Sequence, residues 1–148
     1  MGQPVSTPYT RAITVGGKDG NIEQVVFPQV ASPVTDTTNT TLTLPAAYLL
    51  SGFFLRNPAG VSTDTTDTAA NIVAAMGSYV KSGQAFEFNL RNISANVITI
   101  AAGAGVTLAA GNTNTVIANS TKRFLMTVDV GTDGTPACTL YSMQTSVH

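Results

Sequence analysis

The sequence predicts an all-β protein, an antiparallel β-sandwich or barrel with one short inserted helix. Short segments rich in Val, Ile, Thr and Phe recur along the chain, separated by turn residues such as GNTN and GTDGTP; this spacing is typical of sandwiches and barrels. In AFEFNLRN apolar and polar residues alternate, which indicates a strand with one buried face. Only DTTDTAANIVAAMGSYV carries apolar residues at helical spacing.

The length and composition favour one domain with an unusually neutral surface. A chain of 148 residues buries roughly 70% of its unfolded surface. We expect residues 1–8 to form an extended N-terminal arm, because Pro4 and Pro8 remove backbone donors, and residues 9–148 to form the domain. Charged residues make up 10% of the chain, against about 25% on average. Neutral polar side chains cost less to bury than charged ones, so this composition favours protein interfaces.

The individual elements follow from the same patterns. Two strands are expected at YTRAITVGG and NIEQVVFP, joined by the turn GGKDG. A Thr-rich link leads to two further strands, LTLPAAYLL and SGFFLRNPAG, and then to the helix, for which Thr66 or Asp67 is the expected cap. The apolar stripe of this helix consists of Ile72, Val73, Met76, Tyr79 and Val80. The remaining strands are AFEFNLRN, VITIAAG, GVTLAAG, TVIANS, KRFLMTVDV and ACTLYSM.

Alternation on two of these strands predicts the core and a polar face. The residues expected to share a core between sheets are Phe86, Phe88, Leu90, Phe124, Met126 and Val128. Glu87, Asn89 and Arg91 must then lie on the opposite face of their strand. The pattern alone leaves open whether that face meets water, a sugar, a substrate or another copy of the chain.

Few residues offer the chemistry of a catalytic or metal site, so we expect no enzyme activity and no cofactor. The single histidine, His148, is the last residue of the sequence. Asp64 and Asp67 in STDTTDT fit a helix cap better than a calcium loop. Glu87 and Asp129 are a conceivable glycosidase pair, but isolated carboxylates on strands are more often solvated or ion-paired.

Other motifs also favour structural roles. AAGAGVTLAAG has Leu108 where a dinucleotide-binding loop requires glycine, so it predicts a turn between strands. Cys138 lies in the strand-like ACTLYSM and is expected to pack as a small apolar residue. Asn39, Asn92 and Asn119 begin N-x-S/T motifs, but these arise readily in a Thr/Asn-rich chain, and glycosylation is not expected.

Charge and hydropathy favour neither nucleic acid nor membrane as a partner. The net charge is -1, and the only basic pair in the sequence is Lys122-Arg123, which does not form the footprint of a nucleic-acid binder. Apolar runs are broken well before the 18 or so residues that cross a bilayer, and no secretory signal begins the sequence. We therefore expect a soluble protein that is made in a cytoplasm.

From about residue 42 to residue 143 the sequence resembles the small capsid decoration, or cement, proteins of tailed bacteriophages. The resemblance rests on DTAANIVAAM, then GQAFEFNLRNISANVITIAAGAGVTLAAG, then TKRFLMTVDVGTDGTPACTLYSM. These segments match an Ala-rich helix, a strand of the type F-x-F-x-[LI]-x-N, an Ala/Gly/Val/Thr segment and a basic-aromatic strand. The resemblance implies a jelly-roll sandwich related to tumour necrosis factor.

The resemblance also implies a function and partners. It implies a homotrimer on the outer surface of a virion, where it clamps neighbouring major capsid proteins without catalysis or cofactor. The expected interface residues are Pro4, Val5 and Pro8 of the arm and Glu87, Asn89 and Arg91 of the polar face. The alternative is a receptor- or glycan-binding module of a fibre or spike, for which Tyr9, Tyr48, Tyr79 and Tyr141 are candidates. A non-viral binding module or an enzyme is a third possibility.

Overall fold

The computed structural model describes residues 14–16, 22–24, 34–37 and 41–148. The described chain is mostly β-strand with few helices, as the sequence predicts. Its strands are β1 (Thr14–Gly16), β2 (Ile22–Gln24), β3 (Val34–Asp36), β4 (Thr43–Leu44), β5 (Phe53–Arg56), β6 (Ser62–Thr66), β7 (Ala85–Asn92), β8 (Ile98–Ala101), β9 (Val106–Leu108), β10 (Thr115–Val116), β11 (Ser120–Val130) and β12 (Ala137–Val147). Its helices are α1 (Ala46–Leu50) and α2 (Ala69–Met76). The predicted arm, residues 1–8, lies outside the described residues.

The strands are arranged in two larger sheets and a two-stranded sheet of β1 and β2. One larger sheet has four strands in the order β10-β8-β6-β4, and the other has six in the order β3-β5-β7-β11-β12-β9. From β3 to β11, successive strands alternate between these two sheets. Neighbours within a sheet are therefore often separated in sequence by a strand of the other sheet.

The predicted antiparallel arrangement is wrong for part of both sheets. The pairs β3–β5, β5–β7, β4–β6, β6–β8 and β9–β12 are parallel, whereas β7–β11, β11–β12 and β8–β10 are antiparallel. A hairpin reverses the chain, but a chain that crosses to the other sheet and back resumes its first direction. The alternation between sheets thus accounts for the parallel pairs β3–β5, β5–β7, β4–β6 and β6–β8. It does not account for β9–β12, and β8 and β10 are antiparallel although β9 lies between them in the chain.

The predicted strand LTLPAAYLL divides into β4 and α1. Pro45 separates them, and a proline suits a helix start because its fixed φ is already helical and the first N–H groups lack partners anyway. Its carbonyl accepts hydrogen bonds from the backbone N–H groups of Tyr48 (2.9 Å) and Leu49 (3.3 Å). Apolar content alone did not distinguish this short buried helix from a strand.

The predicted helix exists but begins later and ends earlier than expected. The residues before it form β6, and Thr68, rather than Thr66 or Asp67, is the cap: its hydroxyl accepts a hydrogen bond from the backbone N–H of Asn71 at 3.1 Å. The helix ends before Tyr79, which is 87% exposed. Tyr79 therefore does not belong to the buried stripe.

One hydrophobic core contains side chains from both larger sheets and both helices. The predicted core is confirmed, with Phe86 only partly buried and the other five residues buried. The Phe88 ring stacks on those of Phe54 and Phe124, with centroids 6.0 and 5.2 Å apart. The four-stranded sheet and the segments beside it contribute Leu44, Ile98, Ile100 and Val116 to this core.

The glycine-rich stretch after β8 is a turn, as predicted, and it packs against the start of α2. The backbone N–H of Ala69 donates to the carbonyl of Ala104 at 2.9 Å. A Cβ atom at Gly103 would lie 2.3 Å from the carbonyl oxygen of Thr66. Glycine is required there because the two backbone segments approach too closely for any side chain.

Candidate functional site

The side of β7, β11 and β12 that faces away from the core forms one continuous surface, which we call the outer polar face. In β7, β11 and the first half of β12 alternate residues are buried, so their neighbours point outward, and the register with β11 extends this side to Ser146 of β12. The antiparallel register places Asn89 opposite Arg123, and Arg91 opposite Thr121. The polar residues of the outer polar face are Glu87, Asn89, Arg91, Thr121, Arg123, Thr127, Asp129, Thr139, Tyr141, Gln144 and Ser146, and Leu125 lies among them.

The three residues that the sequence assigned to this face do lie there together. Glu87 is exposed, and its carboxylate is 3.7 Å from Nη1 of Arg123. Asn89 is half-buried and donates from its backbone N–H (2.8 Å) and its Nδ2 (3.3 Å) to the carbonyl of Gly52. Arg91 donates from Nη1 to the carbonyl of Asn119 at 3.2 Å. All three keep part of their polar surface open to solvent.

A polar depression of about 220 Å³ lies within this face. Its lining comes from all three strands and consists of Asn89, Thr121, Arg123, Gln144 and Ser146. All five side chains carry hydrogen-bonding groups, and the guanidinium of Arg123 is the one formal charge among them. A second surface groove, of about 460 Å³, lies between the end of α2 and the start of β7 and includes Tyr79.

A buried ion pair, which the sequence reasoning missed, lies on the inner side of the molecule. Arg56 and Asp64 are both fully buried, with Nε 2.6 Å from one carboxylate oxygen and Nη2 2.9 Å from the other. Asp64 also accepts hydrogen bonds from the hydroxyl of Ser62 (2.6 Å) and the backbone N–H of Leu42 (3.2 Å). Nη1 of Arg56 reaches the carboxylate of Asp36 on β3 at 3.4 Å. This cluster joins β5 of one sheet to β6 of the other.

Two patterns contained a signal for this cluster. Arg56 has the same strand parity as the buried Phe54, and Asp64 has the same parity as Ser62 and Thr66. Parity alone places an arginine and an aspartate on inward faces, where each charge needs a partner. Treating Asp64 as part of a helix cap hid that signal.

The basic pair Lys122-Arg123 is divided between the two sides of β11. Lys122 is buried, and its Nζ donates to the backbone carbonyls of Thr113 and Thr115. This burial lowers the pKa of the Lys122 ammonium. Arg123 points to the outer polar face. The adjacent charges therefore do not add up to a basic patch.

Asn92 is a structural residue at the end of β7. It is fully buried, and its Nδ2 donates to the carbonyls of Asn96 (2.7 Å), Val116 and Ile117 (both 3.1 Å). Its Oδ1 accepts from the backbone and hydroxyl of Ser94. Because its side-chain amide is buried and hydrogen-bonded at both polar atoms, Asn92 is not accessible for glycosylation, although this residue begins an N-x-S motif.

The remaining candidate groups also have local roles. Cys138 is fully buried, as predicted, and burial together with the nearby Asp129 charge raises the pKa of its thiol to about 11. Asp129 accepts from the hydroxyl of Thr139 at 2.6 Å. Glu87 lies opposite Leu125, four positions from Asp129, which is roughly 13 Å along a strand. The two carboxyls of a glycosidase are closer, about 5 to 9.5 Å apart.

Two other kinds of feature are absent from the described ranges. Among residues 14–16, 22–24, 34–37 and 41–148, no group of three or more His, Cys, Asp or Glu side chains is placed to hold a metal ion. In the same part of the chain, neither helix has the length and apolar character needed to span a bilayer.

Comparisons of the chain with models of protein families, with curated proteins and with solved structures found no match.

Proposed function

We propose that this protein is a capsid decoration protein: a homotrimer that binds the outer surface of an icosahedral virus shell and stabilises it. The resemblance over residues 42–143 supports the proposal, because its segments form α2, β7, β8, β9, β11 and β12 in the expected order. We further propose that the two larger sheets pack face to face as a sandwich around their shared core. The parallel pairs would make its strand order differ from that of an antiparallel jelly roll.

The outer polar face is the observation that carries the proposal. It consists mainly of neutral hydrogen-bonding side chains on three adjacent strands, and its charged residues include both signs. Such a surface stays soluble when exposed, and because its charges include both signs, a neighbouring copy can pair with them rather than leave them desolvated. We place Glu87, Asn89 and Arg91 near a neighbouring copy of the chain.

Stabilisation of a shell by such a protein is a matter of mass action. A protein that binds only the assembled shell stabilises each site by RT ln(1 + [L]/Kd), which is about 4 kcal/mol at a thousandfold excess over Kd. A rigid binding surface helps, because less conformational entropy is lost on association. The buried cluster around Arg56 and Asp64 supports such rigidity by linking strands of both sheets.

The N-terminal arm is proposed as a second contact with a neighbouring molecule. Pro4 and Pro8 favour an extended conformation before docking, and Val5 supplies a small apolar side chain. Deleting residues 2–8 should leave the melting temperature nearly unchanged but weaken attachment to shells. Equal retention of the full-length and shortened proteins on shells, across a salt series, would show that the arm has no role.

The proposal is tested first by oligomeric state and then by shell binding. Multi-angle light scattering at micromolar concentration should give a mass three times that of the chain, and a monomer would refute the trimer. Cosedimentation with purified shells should saturate at a fixed stoichiometry and raise the temperature at which shells open. Failure to bind shells while binding a glycan array would favour the fibre or spike alternative.

A matched pair of substitutions locates the contact. Asn89→Glu places a charge at the centre of the outer polar face, whereas Ser82→Glu adds the same charge in an exposed turn outside it. If the face lies near a neighbouring copy, only Asn89→Glu should weaken the trimer. If both variants have the same oligomer mass, Asn89 does not lie in the interface.

A further inference from the structure

The polar depression in the outer polar face is formed by an irregularity of the sheet. Lys122 pairs with Thr145 and Phe124 pairs with Ser142, so Arg123 alone opposes two residues of β12, Met143 and Gln144. This is a β-bulge, a feature that redirects side chains and is over-represented beside functional sites. Gln144 is one of the two bulge residues, and its side chain lines the depression beside Arg123.

The side chains that line the depression have hydrogen-bonding capacity to spare. The Gln144 and Ser146 side chains make no hydrogen bond to any other described residue, and Arg123 has only its 3.7 Å contact with Glu87. This contrasts with Asn92 and Asp64, whose polar atoms are occupied by near neighbours. Asn89 and Thr121 each have one partner, the Gly52 carbonyl at 3.3 Å from Nδ2 of Asn89 and Nε2 of His148 at 3.2 Å from the Thr121 hydroxyl. The depression therefore offers mainly the donors and acceptors of Arg123, Gln144 and Ser146 on a concave surface.

The chemistry of the lining indicates its ligand. A guanidinium forms a planar fork that matches a carboxylate, with two parallel N–H···O bonds. The amides of Asn89 and Gln144 and the hydroxyls of Thr121 and Ser146 both donate and accept, which suits the hydroxyl groups of a sugar. A volume of about 220 Å³ is below the 300 Å³ or more typical of drug-sized ligands, and it suits a single ring.

We propose that this depression binds one acidic sugar unit, such as a hexuronic acid. Its carboxylate pairs with Arg123, and its ring hydroxyls bond to the surrounding amides and hydroxyls. The carboxylate of Glu87 competes with the sugar carboxylate for Arg123, since it already lies beside the same guanidinium. The depression belongs to the single chain, so the proposal does not depend on shell binding. It shares Asn89 with the residues that we place near a neighbouring copy, so a bound sugar should compete with that contact.

The test is an NMR titration of the full-length, isotope-labelled protein with glucuronate, glucose and acetate. For a ligand of this size we expect a Kd of roughly millimolar for glucuronate, with shifts concentrated at the backbone amides of the five lining residues. Glucose, which lacks the carboxylate, and acetate, which lacks the hydroxyls, should each bind at least about tenfold more weakly. Equal binding of acetate or glucose, or no shift with any of them, would overturn the proposal.

Three charge variants sharpen the result. Arg123→Gln should weaken glucuronate binding about tenfold or more. Lys81→Gln removes the same charge from an exposed ion pair with Asp133 and should leave binding unchanged, so equal losses in both variants would indicate only a general charge effect and overturn the site. Glu87→Gln should tighten binding severalfold, because it frees Arg123; weaker binding in that variant would contradict the proposed geometry.

Discussion

Two arginine–carboxylate pairs in this protein have the same chemistry and opposite settings. Arg56 and Asp64 have side chains that are 0% exposed and an Nε–Oδ2 distance of 2.6 Å. Arg123 and Glu87 have side chains that are 46% and 50% exposed, with 3.7 Å between Nη1 and Oε2. The first pair has further partners from Ser62 and neighbouring strands, whereas the second is open to solvent on one side.

The difference shows how burial decides what an ion pair does. A buried charge that loses its partner remains in a medium of low dielectric, so breaking the pair strongly destabilises the folded state. An exposed pair adds little to stability, because water and salt screen it. It can exchange one partner for another at small cost. We therefore expect the inner pair to contribute to stability and the outer pair to be available for the proposed binding. Four predictions compare buried and exposed positions in this way.

The largest effect is expected at the buried pair. Asp64→Ala leaves the Arg56 guanidinium buried without its main partner and removes the acceptor of the Ser62 hydroxyl, so the free energy of unfolding should fall by about 3–5 kcal/mol. Urea unfolding of the two proteins measures it. The double variant Arg56→Met, Asp64→Leu should recover much of the loss, since it removes both charges of the pair together. A loss below about 1 kcal/mol for Asp64→Ala would show that water reaches the pair.

Two adjacent residues of β7 compare the inner and outer sides of one strand. Phe88 is fully buried between two other phenylalanine rings, and Phe88→Ala should lower the free energy of unfolding by about 3–5 kcal/mol. Asn89→Ala, on the outer polar face, should cost about 0.5 kcal/mol or less. Thermal unfolding followed by circular dichroism gives both values. Similar costs for the two variants would mean that the strand faces are assigned wrongly.

Asp67 is an intermediate case, with a half-buried carboxylate. Burial acts to raise the pKa of this carboxyl, but hydrogen bonds from Asn71 and from the backbone N–H groups of Ala46 and Thr68 outweigh it, so the pKa lies below its ordinary 3.8. A carboxyl with a lowered folded pKa stabilises the protein above the unfolded value, and this stabilisation is lost as the pH falls through the folded value.

Asp67→Ala should therefore lower the free energy of unfolding at pH 7 by about 1–2 kcal/mol. The difference from the unchanged protein should shrink as the pH is lowered from about 5 to about 2, because the carboxyl is then protonated in both states. Melting temperatures measured across that range provide the check. A difference that is independent of pH would assign the loss to packing.

The smallest effect on stability is expected at the exposed pair. Glu87→Gln and Arg123→Gln should each change the free energy of unfolding by about 0.5 kcal/mol or less, because both side chains are solvated. A double-mutant cycle in urea measures their coupling. A coupling above about 1 kcal/mol would show that the outer pair contributes to the fold like the inner one, and would remove the basis for assigning it to binding.

The sequence correctly predicted the strands in which buried and exposed residues alternate regularly. Alternation in β7 and β11 identified Phe88, Leu90 and Phe124 correctly as core residues, because a strand with one buried face imposes that pattern on the sequence. It also placed Glu87, Asn89 and Arg91 together on the other face. Cys138, the single cysteine in a strand-like segment, was also correctly predicted to pack as a small apolar residue.

The sequence did not predict features that depend on contacts between residues distant in the chain, or on short interruptions within an element. Asp64 looks like a capping residue until Arg56, on a strand of the other sheet, is known to face it. The helix α1 has five residues, too few for a helical period to appear. Strand direction was missed because it depends on which sheet the intervening strand joins, and no local pattern records that. The bulge at Met143 and Gln144 likewise requires the register of two strands.

The alternation of strands between two sheets has a consequence for synthesis on the ribosome. β7 needs β11 on one side, and β9 needs β12, so neither can complete its pairing until β11 and β12 have been synthesised. Among the described residues, only the hairpin of β11 and β12 joins long strands that are neighbours in sequence, and it follows the other described strands. Pairings between distant segments form slowly, and their unpaired edges are open to other chains meanwhile. We therefore expect a stalled chain that ends before β11 to be prone to aggregate.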